Sequence, residues 1–323
     1  MTFRPRKLEA LGNRIAVSIA KDEQGYLGRE CPQKECDGYF KIKPGTGLTG
    51  SDLPCHCPYC GHTEGQDKFY TPDQIEYVKS VALGKVTEAI REDLKTMEFN
   101  QPVRGPFGVG ISLTFKPGRA IPIHHYREKS LETEIVCEAC TLAYTIYGLF
   151  GFCPDCGDHN SFQILSKNLD LVLKQLELVT KVDDEGLKRH LTEDALENCV
   201  SAFDGFGRES CRVRAHLSKD ATKAQAISFQ NPNGFAKRVV DVFGVDVRST
   251  MAPADWDAIH RGFMKRHVVA HRSGITDSQY VSDTGDASAV VGRRIPLDER
   301  DIRELARLLR SLGQALIGIL PRP

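Results

Sequence analysis

Apolar residues recur along this chain with two different periods, and the change of period divides it. Up to about residue 166 the apolar runs are short and alternate with polar ones. Residues 12–20 (Gly-Asn-Arg-Ile-Ala-Val-Ser-Ile-Ala) predict one strand and Tyr39 to Lys43 a second. Val109 to Phe115 alternates inside a glycine- and proline-rich β region over 101–136. One helix interrupts this half. Thr71-Pro72-Asp73 supplies an N-cap, a first-position proline and first-turn acid. Ile75, Val78, Val81, Ala82, Val86, Ala89, Ile90 and Leu94 then recur at helical spacing to about Glu98.

Beyond that point the period is helical. Leu169, Leu171, Val172, Leu173, Leu176, Leu178 and Val179 predict a short helix over 168–180, and Asp183-Asp184-Glu185-Gly186 marks a boundary after it. A helix from about Glu193 to Leu217 carries Leu196, Cys199, Val200, Phe203, Phe206, Ser210, Val213 and Leu217 on one stripe, with Gly205 and Gly207 placed to bend it. A loop at Asn231 to Gly234, a short helix from Phe235 to Phe243, a helix from Pro253 to the stop at Gly274, and a final helix from Asp298 to about Leu320 follow. In the last, Ile302, Leu305, Leu308, Leu309, Leu312, Leu316 and Ile319 fall within about 120°. Helices each apolar on one face and joined by loops predict a bundle.

Composition adds little. With 43 basic and 43 acidic residues, net charge argues neither for nor against nucleic acid, so any basic surface must be local. The late basic run Arg208, Arg212, Arg214 and Lys219 reads as a solvated face, with a phosphate-facing one as the alternative. Met1 to Leu11 lacks the apolar run of a signal peptide, and no run of about 18 apolar residues exists, so a cytoplasmic protein without membrane contact is expected.

The cysteines change the picture more. Eight of eleven fall in close pairs, and a reducing compartment favours metal over disulfides. Cys31, Cys36, Cys57 and Cys60 predict one zinc ribbon, with Cys55 or His56 as substitute ligands. Cys137, Cys140, Cys153 and Cys156 form paired CxxC knuckles and predict a second. Four thiolates leave no open coordination position, so both Zn²⁺ ions are expected to be structural. The aromatic run Tyr144, Tyr147, Phe150 and Phe152 is read as core rather than base-stacking surface, and Cys199 and Cys211 as core thiols.

The remaining chemistry lies at Arg266-His-Val-Val-Ala-His271-Arg-Ser-Gly274. At 100° per residue, His260, His267 and His271 fall within about 40° of one another, while Arg266 sits about 100° from His267 and about 140° from His271. Cations at a helix C-terminus also favour the dipole without any substrate. Arg266-x4-His271, the sequel Ser-Gly-Ile-Thr-Asp-Ser-Gln-Tyr280, a loop through Gly292 to Leu297 and the long last helix together resemble the HEPN family over roughly 183–323.

That resemblance implies a two-fold pairing helical bundle whose active members are endoribonucleases needing no metal for catalysis. Many serve in toxin–antitoxin, CRISPR or other antiphage systems; others are inactive binding or dimerisation modules. Carried onto this chain, it makes His271 the acid/base, Arg266 the phosphate clamp and His267 the helper. RNA is the expected partner, with a homodimer through the helical domain and room for a regulatory protein. A non-catalytic adaptor that dimerises through the same domain is the competing expectation. The expected layout is α+β and multidomain: ribbon 1 over 1–70, a helical spacer over 71–100, the β region with ribbon 2 over 101–166, a linking helix over 167–182, and a HEPN-like helical domain over 183–323.

Overall fold

A computed structural model describes residues 4–48, 53–102, 107, 110–116, 118, 121–131 and 133–322. A glycine-rich loop is expected from Pro44 to Gly50; its end, Gly50, and Val109, at the start of a predicted strand, lie outside the described residues. The chain separates into two compact units, Met1–Asp158 and His159–Pro323. The first mixes helix with small antiparallel sheets and the second is helical. No helix among the described residues is long and apolar enough to cross a membrane.

In the first unit, α1 (Arg6–Ala10) is tied to α2 (Pro72–Lys95), where the Asp93 carboxylate accepts from the Lys7 and Leu8 N–H groups at 2.9 Å each. Helix α2 opens with a full capping box, Thr71 and Gln74 each accepting the other's backbone N–H. The strand expected over 12–20 does not form. That segment has no strand pairing among the described residues, and the Ala16 carbonyl instead accepts from Lys85 Nζ at 3.1 Å.

Eight short strands are described: β1 (Leu27–Glu30), β2 (Tyr39–Ile42), β3 (Pro54–His56), β4 (Thr63–Gly65), β5 (Phe99–Gln101), β6 (Ile111–Leu113), β7 (Thr133–Val136) and β8 (Ala143–Ile146). The two cysteine clusters, expected as separate ribbons, share one sheet of order β1-β2-β8-β7. Its central pair sets Lys41 opposite Thr145 and Ile42 opposite Tyr144. The second knuckles also join reciprocally. His56 N–H donates to Pro154 O at 2.8 Å, and Phe152 N–H, from the equivalent position, donates to Pro58 O at 2.9 Å. Phe40, Ile135, Leu142, Tyr144 and Ile146 fill the shared core, so Tyr144 and Phe152 are packing residues and not a stacking surface.

In the second unit, α3 (Ser161–Val179) begins earlier than the linking helix expected over 167–182. It is built into the bundle, burying Leu165, Leu169, Val172 and Leu176 in the same core as α4 (Glu185–Val213) and α9 (Glu299–Ile319). Between α4 and α9 come α5 (Ala221–Gln225), α6 (Pro232–Phe243), α7 (Pro253–His271) and α8 (Ser278–Thr284). Gly207 of α4 marks a close approach: a Cβ there would lie 2.4 Å from the Phe229 ring.

The late basic face of α4 is consumed within the unit. Arg208 pairs with Asp204 at 2.9 Å, Arg212 grips both oxygens of Glu209, and Arg214 donates to the Ser210 and Pro321 carbonyls. Glu209 also meets the buried His159 ring at 3.2 Å. Burial alone raises the Glu209 carboxyl, but Arg212 and His159 outweigh it and hold it down to about 2, against an ordinary 4.5. A depressed carboxyl stabilises the fold fully above pH 4.5 and loses that contribution as pH falls toward 2. Glu209→Ala strands a buried imidazole and is expected to cost about 3 kcal/mol at neutral pH. Urea melts of mutant and parent should converge toward the acid end of that window; a constant difference would show that packing, not charge, carries the effect.

Candidate functional site

Each predicted set of four cysteines comes together. The sulfurs of Cys31, Cys36, Cys57 and Cys60, and those of Cys137, Cys140, Cys153 and Cys156, lie within 4.8 Å of one another. Neighbouring sulfurs are 3.7 Å apart for Cys31–Cys60, Cys36–Cys57 and Cys137–Cys156, and 3.4 Å for Cys140–Cys153. A tetrahedral four-sulfur centre with bonds of about 2.3 Å has edges of about 3.8 Å, so both cradles suit a thiolate-bound metal ion. Cys55 is buried outside the cluster, and His56 Nδ1 is engaged by Thr63 Oγ1 at 2.7 Å.

The knuckles owe their shape to one backbone position. The residue after each second cysteine has positive φ: Asp37 at 43°, Gly61 at 72°, Thr141 at 66° and Gly157 at 71°. The two glycines also face a ring across the reciprocal junction. A Cβ at Gly61 would sit 3.2 Å from Phe152, and one at Gly157 would sit 3.1 Å from His56.

The helical unit holds the second candidate. Helix α7 ends at His271, and the chain turns away through left-handed Ser273 (φ 53°) and Gly274 (φ 72°), with Gly274 N–H closing on Val268 O at 3.1 Å. The following segment is then locked down. Asp277 caps α8 by accepting from Tyr280 N–H at 2.8 Å, and the buried Tyr280 hydroxyl donates to Asp286 at 2.7 Å. Val268, Tyr280 and Ile295 form a small core beneath it. On the opposite side, buried Lys265 meets Asp301 of α9 at 2.9 Å. The turn and this small core, rather than the charges, give the sequel of the motif its structural purpose.

Above this base, Arg266, His267, His271 and the third histidine, His260, line one pocket of about 880 Å³. The rings of His267 and His271 are 4.9 Å apart, and both residues are exposed. Arg266 forms no ion pair among the described residues, and its Nε is buried with no hydrogen-bond partner. Desolvation, then His271, Arg272 and Arg266, hold the proton affinity of His267 below the ordinary value of 6.5. Arg272 differs from Arg266 in being paired, with Asp277 at 3.5 Å.

The other wall was not foreseen. It comes from Ser228 to Gly234 and Arg238, at the start of α6 and just before it. No periodicity or spacing links these positions to α7; tertiary packing alone brings them there. Comparison of the chain with family models, with curated proteins and with solved structures gave no match.

Proposed function

We propose that the protein is an endoribonuclease of HEPN type that cuts RNA by attack of the ribose 2′-hydroxyl on the adjacent phosphate. One observation carries the reading: Arg266, His267 and His271 meet in a single pocket, the histidine rings in contact range and the guanidinium without an ion pair among the described residues. The resemblance around Arg266-x4-His271 and Tyr280 supports it.

A histidine takes the 2′-OH proton while the 2′-oxygen bonds to phosphorus. The bond from phosphorus to the 5′-oxygen then breaks, and a second imidazole donates the proton that the leaving oxygen needs. His267, inclined to stay neutral, suits the accepting role, and His271 suits the donating one. Arg266 offers a permanent, forked charge to the phosphorane oxygens. Metal ions are not needed for this route. Among the described residues, the groups of histidine, cysteine and acidic side chains close enough to share an ion are the two cysteine sets.

Those two sets would each hold a structural Zn²⁺, which when bound fixes the knuckles and leaves no site for substrate. A role in toxin or antiphage systems, a two-fold dimer that pools catalytic groups, and recruitment of nucleic acid or a regulatory protein by the ribbons belong to the same reading.

The test uses the full chain on a defined RNA in buffer without added divalent ions. Products should end in a 2′,3′-cyclic phosphate and a 5′-hydroxyl, and a strand with 2′-deoxyribose at the cut position should survive. Cleavage of the deoxy strand would sink the mechanism. Absence of cleavage of any RNA would favour a non-catalytic adaptor.

A further inference from the structure

The pocket is larger than one phosphate requires, and residues of α6, α7 and α8 line it. Its second wall carries Arg238, an exposed cation with no ion pair among the described residues. Two basic side chains nearby are neutralised, Arg208 by Asp204 and Arg272 by Asp277. Within the pocket, Arg266 and Arg238 are the guanidiniums that form no ion pair among the described residues. At the helix end, Asn231 Oδ1 accepts from Gly234 N–H at 2.9 Å, and Arg238 is the charged donor that this wall presents.

This wall is held in place before any ligand arrives. The buried Asp204 carboxylate accepts from Phe229 N–H at 2.6 Å and from Gln230 Nε2 at 3.3 Å, and Trp256 Nε1 donates to Asn233 Oδ1 at 3.3 Å. Such bracing lowers the ordering cost of binding. Opposite it, His260 lies two helical turns before His267, about 10 Å along α7. The aromatic rings that reach the pocket, Phe263 and Tyr280, are buried and offer no open face for base stacking. What remains is a polar recess with separated cations, its two carboxylates engaged by neighbours (Asp277 by Arg272 at 3.5 Å, Asp283 by Gln279 Nε2 at 3.2 Å), and its volume falls in the usual ligand range of about 300–1,000 Å³.

We propose that this recess is a subsite for one unpaired nucleotide beside the cleaved bond, with Arg238 holding that nucleotide's phosphate while Arg266 holds the one that reacts. The substrate is therefore single-stranded RNA. A nucleotide in a loop or a free strand can be splayed into a recess, whereas an A-form duplex presents a shallow groove and keeps its bases stacked. His260 shares the recess and adds a donor on the α7 side.

The inference rests on reading the pocket as an RNA site, and its test separates the two. Binding is measured by fluorescence anisotropy in the full chain carrying His271→Ala, with a short fluorescein-labelled single strand of mixed sequence and the same strand annealed to its complement. Adding Arg238→Ala should weaken single-strand binding about ten-fold and reduce the salt slope by about 0.7, the value of one lost phosphate contact. Arg238→Lys should recover part of the affinity, and the duplex should bind more weakly than the strand. With His271 intact, Arg238→Ala should raise KM more than it lowers kcat. Equal affinity with and without Arg238, or a duplex bound as tightly as the strand, overturns the subsite. Arg238-dependent strand binding by a chain that cuts no RNA supports the subsite and defeats the nuclease reading; no binding of any strand defeats both.

Discussion

Cys153→Ser is expected to unfold the whole ribbon unit and release metal from both centres, although only one centre is altered. Cys153 is fully buried and 3.4 Å from Cys140, so the serine hydroxyl replaces a thiolate where no solvent can compensate. A structural zinc site contributes roughly 10–16 kcal/mol of apparent binding energy at neutral pH, which is about the whole stability of a typical domain. The Cys31 centre follows because its second knuckle is bonded to the altered one through the His56–Pro154 and Phe152–Pro58 pair. Metal analysis of the parent chain should find two zinc ions, and the variant close to none. Proteolysis should cut the variant within residues 1–158 first. A variant that keeps one zinc and a protected β2 would show that the shared sheet does not couple the centres.

His271→Ala is expected to slow RNA cleavage by about 10³-fold, within the range for losing a positioned acid or base. Arg266→Ala should cost about 10²–10³-fold, as for losing a fixed donor to a developing charge. The two are distinguishable by pH. Desolvation and nearby cations keep His267 neutral to lower pH than a free histidine, so the acidic limb of kcat/KM should fall below pH 6.5 in the parent. His267→Ala should abolish that limb while leaving the fall at high pH, where a proton donor is lost. Cleavage that survives in His271→Ala, with unchanged products, would remove the proposed mechanism.

How much of this could be read along the chain depended on distance. The cysteine sets and the Arg266–His271 spacing are local, since knuckles and helix turns fix geometry within a few residues. Thr71 and Gly274 likewise declare helix ends by short-range hydrogen bonding. Residues 12–20 alternate well but form no strand, because alternation states a face and not a partner. Helix α3 read as a link because its length is modest, while the core that claims Leu165 and Leu169 comes mostly from α4 and α9. Arg208, Arg212 and Arg214 read as a solvated face with phosphate as the alternative, because their intramolecular acceptors lie in no local pattern that singles them out. Arg238 drew no notice for the opposite reason: an exposed arginine gains meaning only from the pocket across from it.

The central strand pair of the ribbon unit has a bearing on synthesis. Lys41 faces Thr145, so roughly a hundred residues separate the two sides of that pairing. At a ribosomal rate of about 5–20 residues per second, β2 waits several seconds for β8 with its outer edge open. During that interval the first cysteine set has only its own hairpins around it, and Phe40 lacks Tyr144 and Ile146 as neighbours. Because the knuckles are also joined through His56–Pro154 and Phe152–Pro58, the surroundings of Cys31, Cys36, Cys57 and Cys60 are complete only after the second cysteine set has been made, so the unit closes as one late step of synthesis.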